Sequence, residues 1–357
     1  MNNIFGIKIK RRRTISNKFL LLIAIASIVT ALIIYSYFFF REGVSPIEGY
    51  RTMIIYAFKP GAGLKLTIRR TVPIILLTLA FTIPKKAGIW NIGGQGQMYI
   101  GAIGATVASF ALSNQPSLIA IPLAILSAAA LAAGWGGIIG LVRGKLNVNE
   151  IVLTILSNFM AIYIVKHLVE GGPLTSASGR AESDLIPVAA RMPEIGGTGI
   201  PYTIVISVGL AVLFFFFFRR TRLGFEIETV GINAEVAKKE GMDIMKTTII
   251  VMIIAGALAG IAGYHQSANV VNRLRSDLAE NWGFYAIVIG LLVNLDSLAA
   301  IIGSFFLSGI LVGTQSLQLS LGMTHGSDAV FFGLVLFVMV AFQAFRHYRI
   351  VIGDGVE

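Results

Sequence analysis

The 357-residue chain contains no cysteine and few charged residues. Without cysteine it can form no disulfide and has no thiol nucleophile and no cysteine metal site. Only 13% of its residues are charged, and no long hydrophilic block exists that would fold as a separate soluble domain. The four histidines are isolated and lack a metal-ligand spacing such as H-E-x-x-H, so we expect them in loops or at a membrane interface. They are His167, His265, His325 and His347.

Hydrophobic residues, in contrast, make up 55% of the chain and fall in runs of about 20. These runs predict an all-α polytopic membrane protein of about ten transmembrane helices, some of them broken. One transmembrane domain is expected over residues 19–345, preceded by a basic arm at 1–18 and followed by a polar tail at 346–357. Two predicted spans, 71–83 and 281–294, are short.

Basic residues exceed acidic ones, which gives a formal net charge of +11. They cluster beside the apolar runs, as Lys and Arg do when they set membrane orientation, and are not interleaved with aromatic residues as in single-strand binders. We therefore expect a multi-pass plasma-membrane protein with no nucleic-acid partner. A ten-span topology predicts cytoplasmic N- and C-termini, an extracytoplasmic loop at 170–201 and a cytoplasmic loop at 219–246.

One polar stretch interrupts the apolar runs, Asn91-Ile92-Gly93-Gly94-Gln95-Gly96-Gln97. Glycines and amides cost helix stability in hydrocarbon, so such a break persists only where protein shields it or where it lines a wet cavity. It predicts a path for a polar, uncharged solute. The alternatives are a short loop between two spans and amides that bond between helices. The candidate pathway residues are Asn91, Gly93, Gln95, Gly96 and Gln97, with the weaker candidates Asn158 and Gln315 on other spans.

Ionisable, nucleophilic and metal-binding residues are scarce in the middle of the predicted spans. No Asp, Glu or Arg falls in the middle of a predicted span, whereas ion-coupled carriers usually bury such groups. This argues against a stand-alone secondary transporter. The spans also lack an acid–base pair, a nucleophile–base set and a metal cluster, and no G-x-x-x-x-G-K-[ST] phosphate loop is present. We expect no enzymatic activity, no bound metal and no ATP site of this type.

A short capped helix is predicted inside the loop 219–246. Asn233 is a good N-cap, because its side chain can accept a free backbone N–H of the first turn. Gly241 is placed to take the left-handed conformation just past the helix end. Ala234 and Ala237 are expected on one side of this helix. It is either a docking helix for a soluble partner or an ordinary surface helix.

These motifs, in this order, resemble the permease subunits of the branched-chain amino acid, ribose and nucleoside group of ABC importers. Asn91-Ile92-Gly93-x-x-Gly96-Gln97, followed by Gly101-Ala102, is similar to that group's first broken-span motif. The Asn-Ile-Gly form and the long N-terminal extension are most like nucleoside and simple-sugar permeases. Gln95 departs from the group, because a glutamate is common at that position.

The later part of the chain carries the same resemblance. Gly231-x-Asn233-x-x-x-Ala237-x-x-x-Gly241 is similar to the group's coupling-helix loop, although Lys239 stands where an aromatic residue is common. Ala259-Gly260-x-Ala262-Gly263 is similar to the small-residue span that follows that loop. The resemblance covers nearly the whole chain from the second predicted span onward.

The resemblance implies a type II-like ABC importer permease bundle that pairs with a second permease chain, identical or different. Two ATPase subunits would bind the ATP and dock on the helix that follows Asn233, and this chain would hold no cofactor. A solute-binding protein would deliver solute to the loop 170–201, and membrane lipid would surround the bundle. The expected function is uptake of nucleosides or simple sugars; the alternatives are a permease for branched-chain amino acids and a stand-alone secondary transporter. The residues implied in ATPase coupling are Gly231, Asn233, Ala234, Ala237 and Gly241.

Overall fold

The structure is a computed structural model that describes residues 7–11, 17–279, 281–324, 326, 330–331, 333–335, 337–338, 341–342 and 348–352. The structure is 77% helical, which confirms the all-α polytopic fold class. The chain divides into two compact units, one formed by Pro60–Gly309 and one formed by Met1–Lys59 together with Ile310–Glu357.

The unit that contains both chain ends begins with strand β1 (Ile7–Arg11), helix α1 (Asn17–Arg41) and helix α2 (Pro46–Phe58). The two helices are bent by 110° at the turn between them, and Gly49 of α2 lies against the Phe39 ring, where no larger residue would fit. Strand β1 pairs antiparallel with β2 (Tyr348–Ile352). Parts of the predicted basic arm and tail therefore form a short two-stranded sheet.

The larger unit holds the helices that position the candidate site. In order they are α3 (Ala62–Lys86), α4 (Gly94–Ala111), α5 (Ser117–Leu146), α6 (Glu150–Val169), α7 (Thr203–Arg220), α8 (Arg222–Ile232), α9 (Ala234–Lys239), α10 (Ile244–Tyr264), a π-helix (His265–Val270), α11 (Trp282–Leu292) and the first half of α12 (Ser297–Leu321). Helices α3, α4, α5 and α10 pack together at its centre.

Six of the described helices are long and apolar enough to cross a membrane, or seven if the bent pair α1–α2 counts as one span. Helix α4, the third predicted span, is not one of the six, because Gln95 and Gln97 make its first turn polar. Helix α11 is apolar but shorter. The tenth predicted span, 329–345, is only partly covered by the described residues, so the count of ten stays a prediction.

Helix α3 is longer than the predicted span 71–83 and includes Arg69 and Arg70. Both arginines precede the predicted span, so the middle of α3 contains no Arg, but the helix as folded carries them in its N-terminal part. Arg69 is accommodated because its Nη2 donates a hydrogen bond of 2.6 Å to the backbone oxygen of Asn269, at the end of the π-helix. A guanidinium at depth needs such a backbone or charged partner.

Glycines bring α5 and α10 into backbone contact, as the predicted small-residue spacings suggest. A Cβ at Gly256 would lie 2.9 Å from Ala133 Cα, and one at Gly260 would lie 2.9 Å from Ala132 Cβ. Gly136 on α5 lies against the Met252 carbonyl oxygen of α10 in the same way. Close backbone approach through small residues is how membrane helices gain packing energy without a hydrophobic driving force.

Candidate functional site

The polar interruption lies at residues 87–93, between α3 and α4. Gly94, Gly96 and the two glutamines form the first turn of α4. We had expected these glycines to break the helix, but they lie within it. The break comes immediately before them, where Asn91 Oδ1 accepts a hydrogen bond of 3.1 Å from Gly93 N. This bond satisfies a backbone donor that the start of a helix leaves free.

Asn91 connects the end of α3 to the start of α4. Its Nδ2 donates to Ala80 O on α3 and to Gln97 Oε1 on α4, both at 3.1 Å. Gln97 has 0% of its surface exposed. Buried amides of this kind are costly unless bonded, and here the two side chains satisfy each other and the backbone.

Helix α6 completes this cluster through Asn158. Its Nδ2 donates to Ile92 O at 2.9 Å, and its Oδ1 accepts from Gly96 N at 2.7 Å. A Cβ at Gly96 would lie only 2.8 Å from Asn158 Cα, so glycine is required at this approach. Gly93 is similarly confined, because its Cβ would lie 3.2 Å from Ser157 Oγ.

Gln95 and Tyr99 of α4 point to a second interruption that sequence reasoning missed. Gln95 Nε2 donates to Ala279 O at 2.9 Å, Tyr99 OH donates to Ser276 O at 2.9 Å, and Ala279 N donates to Tyr99 OH at 3.2 Å. Residues 271–279 form no helix, although they connect the π-helix to α11. Sequence analysis placed this segment in a polar loop, since its charged residues hid the buried positions among them.

Six of the seven candidate pathway residues thus belong to one buried cluster, and all four of its amides bond to protein groups. These six are Asn91, Gly93, Gln95, Gly96, Gln97 and Asn158. The seventh, Gln315, lies on α12 in the other unit and is half-buried. Interhelical bonding is therefore present at these amides, and a role in the pathway stays a prediction.

His265 departs from the expectation of a loop or interfacial residue. It begins the π-helix and is fully buried. Its Nδ1 lies 2.6 Å from Thr203 Oγ1 on α7, and its Nε2 lies 3.0 Å from Arg69 O on α3. Burial is tolerated because both ring nitrogens have a partner. The polar run after the apolar span gave no periodic signal that the helix would continue.

The predicted capped helix in the loop 219–246 is confirmed as α9. Asn233 Oδ1 accepts hydrogen bonds from Glu235 N at 3.0 Å and from Val236 N at 3.2 Å. Gly241 has φ +79°, and the chain closes behind the helix with a bond from Met242 N to Ala237 O at 3.0 Å. Both ends therefore follow from local sequence.

The orientation of α9 differs from the expectation that Ala234 and Ala237 share one side. Ala237 is fully buried within this chain, whereas Ala234 is exposed. The apolar residues that face outward are Ile232, which is 86% exposed, and Val236, which is 47% exposed. Helix α9 thus packs on its own chain through Ala237 and presents Val236, close to the exposed Ile232 at the end of α8.

The loop 219–246 also contacts the end of α3, next to the polar interruption at residues 87–93. Gly231 lies against the carbonyl oxygen of Lys86, and Lys86 Nζ forms an ion pair with Glu228 of α8. Gly88 faces Gly231 in a left-handed conformation of φ +82°, which favours glycine. Helix α8 is therefore fixed to the point where α3 ends.

An open groove of about 640 Å³ runs beside α9. Its lining carries both signs of charge, with Arg222 and Lys246 on one hand and Glu240 and Asp243 on the other. Among the residues that the structure describes, no three His, Asp or Glu side chains are grouped so that they could hold a metal ion. The groove is therefore a charged surface beside an exposed apolar one.

Comparison with known proteins gives one family and several relatives. Residues 64–340 match the family described as "Branched-chain amino acid transport system / permease component". The chain is 30% identical to a glucose ABC transporter permease protein of Haloferax volcanii, over 86% of this chain and 83% of the relative. It is 26% identical to a guanosine ABC transporter permease protein of Bacillus subtilis, over 89% and 92%. It is 25% identical to a nucleoside ABC transporter permease protein of Lactococcus lactis subsp. cremoris, over 83% and 84%.

Proposed function

This chain belongs to the branched-chain amino acid transport system / permease component family, and we propose that it is the permease subunit of an ATP-driven importer for nucleosides or simple sugars. One observation carries the proposal. A buried, amide-bearing interruption of the bundle lies at the end of α3, and α8, which leads directly into the exposed docking helix α9, is fixed to that same end. The arrangement suits a solute pathway that is opened by a partner protein bound to the surface of the bundle.

The substrate class follows from the side chains of the cluster and from the relatives. The cluster consists of neutral amides and glycines, with Tyr99 beside them. Amides offer both donors and acceptors, which match the hydroxyl groups of a sugar and the polar edge of a base. The relatives are named for glucose, guanosine and nucleosides, which favours these solutes over branched-chain amino acids.

We propose that the amides exchange partners during transport. In the structure they bond to backbone groups of α3 and α4, to Ile92 O and Ala279 O outside the helices, and to one another. A passing solute would take over some of these bonds as the helices separate. Such exchange keeps each amide satisfied at every stage, because an unbonded buried amide is costly.

The docking of ATPase subunits is proposed on α9 and the groove beside it. Ile232 and Val236 are exposed apolar residues on an otherwise charged loop, and apolar anchors inside a polar rim are typical of protein interfaces. ATP would be bound by that partner. The loop would face the cytoplasm, as would both termini, in line with the bias of Lys and Arg.

Two further partners complete the proposed importer. A second permease chain would share the pathway, and a solute-binding protein would dock on the loop 170–201. That loop exposes Leu185 and Val188, and its short 3-10 turns at Val188–Ala190 and Ile195–Gly197 give it a fixed shape. A preformed loop suits docking, because less conformational entropy is lost on binding.

Reconstituted uptake tests the proposed function. The complex purified through this chain would be placed in liposomes with its binding protein and given radiolabelled guanosine, glucose or leucine. We expect ATP-dependent uptake of guanosine or glucose. Uptake that follows a proton or sodium gradient without ATP would contradict the proposal and favour a stand-alone carrier; uptake of leucine alone would correct the substrate class.

A second experiment tests the docking helix. Val236→Asp places a charge on the exposed face of α9, so we expect at least a tenfold loss of co-purified ATPase with no change in the thermal stability of the permease itself. Val188→Asp is the control, because it makes the same change at another exposed valine, on the loop 170–201. Equal ATPase retention in both variants would place the interface elsewhere.

A further inference from the structure

Residues 271–279, here called the connecting segment, lie between two helices and yet are partly enclosed. They follow the π-helix His265–Val270 and precede α11, without forming a helix themselves. Leu274 and Leu278 are buried, and Ala279 is only 3% exposed. Irregular backbone inside a membrane bundle persists only where protein covers it or where it lines a water-filled path.

One end of the connecting segment is held by two side chains of α4. Tyr99 OH bonds to Ser276 O and accepts from Ala279 N, while Gln95 Nε2 donates to Ala279 O. Helix α11 begins at the same place, where a Cβ on Gly283 would lie 2.9 Å from Gln95 Cβ. This end therefore adjoins the cluster of Asn91 and Gln97.

The other end is held by the loop 170–201. Ser183 N donates to Leu274 O at 2.9 Å, and Leu274 N donates to Ser183 Oγ at 2.8 Å. Ile186 N adds a bond of 3.0 Å to Asn272 O. The connecting segment thus joins the loop proposed to receive the binding protein to the proposed pathway.

We propose that the connecting segment is a movable gate on the solute pathway, and that Tyr99 and Gln95 are positioning residues that hold it closed. This inference rests on the proposed function. Without a helical ladder of its own, the end near Ala279 can be released by breaking a few side-chain bonds. Asn272, with φ +59°, reverses the chain direction near its start and supplies a place for it to turn.

Because the chain contains no native cysteine, the labelling of one introduced thiol can report whether the gate is open. Ala279→Cys would be the only thiol of the permease, and it would be treated with a membrane-impermeant maleimide in the assembled complex. We expect slow labelling in the parent. Tyr99→Phe should raise the rate roughly 5- to 30-fold, the factor expected for losing one or two ordinary hydrogen bonds. Gln95→Met removes the remaining bond to Ala279 and should act in the same direction.

Tyr264→Phe is the matched control. Tyr264 is also fully buried, and its OH also donates to a backbone oxygen, that of Ala190, at 2.9 Å. This change leaves the bonds to Ser276 and Ala279 intact, so labelling of Ala279→Cys should stay at the parent rate. Asp277→Cys is exposed and serves as the positive control for reagent access in every background.

Two results would overturn the gate. The first is parental labelling of Ala279→Cys in both Tyr99→Phe and Gln95→Met, and the second is an equal rise in Tyr264→Phe, which would indicate general loosening. If Tyr99→Phe fails to assemble, Gln95→Met decides alone. Labelling reports accessibility without transport, so a failure of ATP-driven uptake would remove the proposed function while leaving this measurement interpretable.

Discussion

The polar interruption at residues 87–93 and the loop 219–246, here called the docking loop after its proposed role, use asparagine and glycine in opposite ways. In the interruption, Asn91 bonds across to α3 and α4, and each of the four amides of the cluster described above bonds to another group of the bundle. In the docking loop, Asn233 bonds only to its own helix, and Ile232 and Val236 beside it face outward. An asparagine placed shortly before a helix can therefore either join helices or cap a surface helix.

The glycines show the same contrast. Gly96 is confined by Asn158 of another helix, whereas Gly241 has no heavy atom of the described chain within 4 Å of the place a Cβ would take. Gly96 is required by space and Gly241 by its backbone angle of φ +79°. We expect the interior region to tolerate change far less than the docking loop, and three variants test this difference.

The largest effect is expected from Gly96→Val. The new side chain would push α4 from α6 and break the bond from Gly96 N to Asn158, which together should destabilise the protein by at least about 3 kcal/mol. Thermal unfolding of the detergent-purified chain measures this. Gly134→Val is the control, because that position on α5 has no described heavy atom within 4 Å. Equal melting of the two variants would contradict the confined site.

A comparable loss, divided between two buried groups, is expected from Asn91→Leu. The change leaves Gln97 Oε1 and Gly93 N without their partner in a buried site, a penalty of about 1–3 kcal/mol for each group. The same melting assay should show it. If the variant were as stable as the parent, water would have to reach the cluster, and the interior would be wetter than its burial indicates.

The smallest effect on stability is expected from Asn233→Ala. Loss of an exposed N-cap costs about 1 kcal/mol and frays only α9, so melting should hardly change. Co-purification of the ATPase should nevertheless weaken, since the docking surface loses its shape. Asn233→Ser keeps a capping oxygen and should restore it; failure of that rescue would mean that the amide itself contacts the partner.

Local signals in the sequence predicted much of this molecule. The apolar runs gave the all-α class, the Asn233 and Gly241 caps gave α9, and the glycine- and amide-rich stretch gave the place where α3 and α4 separate. Each of these rests on neighbouring residues, because caps and hydrophobic runs act over one or a few turns. The motif resemblance gave the family.

Other features depend on distant parts of the chain and were missed. His265 is buried and Arg69 is half-buried because α3 and the start of the π-helix meet across 196 residues of sequence. Residues 271–279 are enclosed because α4 and the loop 170–201 supply hydrogen bonds to their backbone. Ala237 turns inward because α9 packs on its own bundle. The hydrophobic periodicity of the local sequence does not indicate such distant partners.

The unit built from both ends of the chain has a consequence for biosynthesis. Helices α1 and α2 emerge from the ribosome well before the residues beyond Ile310 that belong to the same unit, because Pro60–Gly309 lies between them. At a translation rate of about 5–20 residues per second, those helices wait roughly 10–50 seconds in the bilayer. During this interval they can contact only lipid, the insertion machinery and the chain made so far. In a chain that terminates early, they never meet the C-terminal part of their own unit.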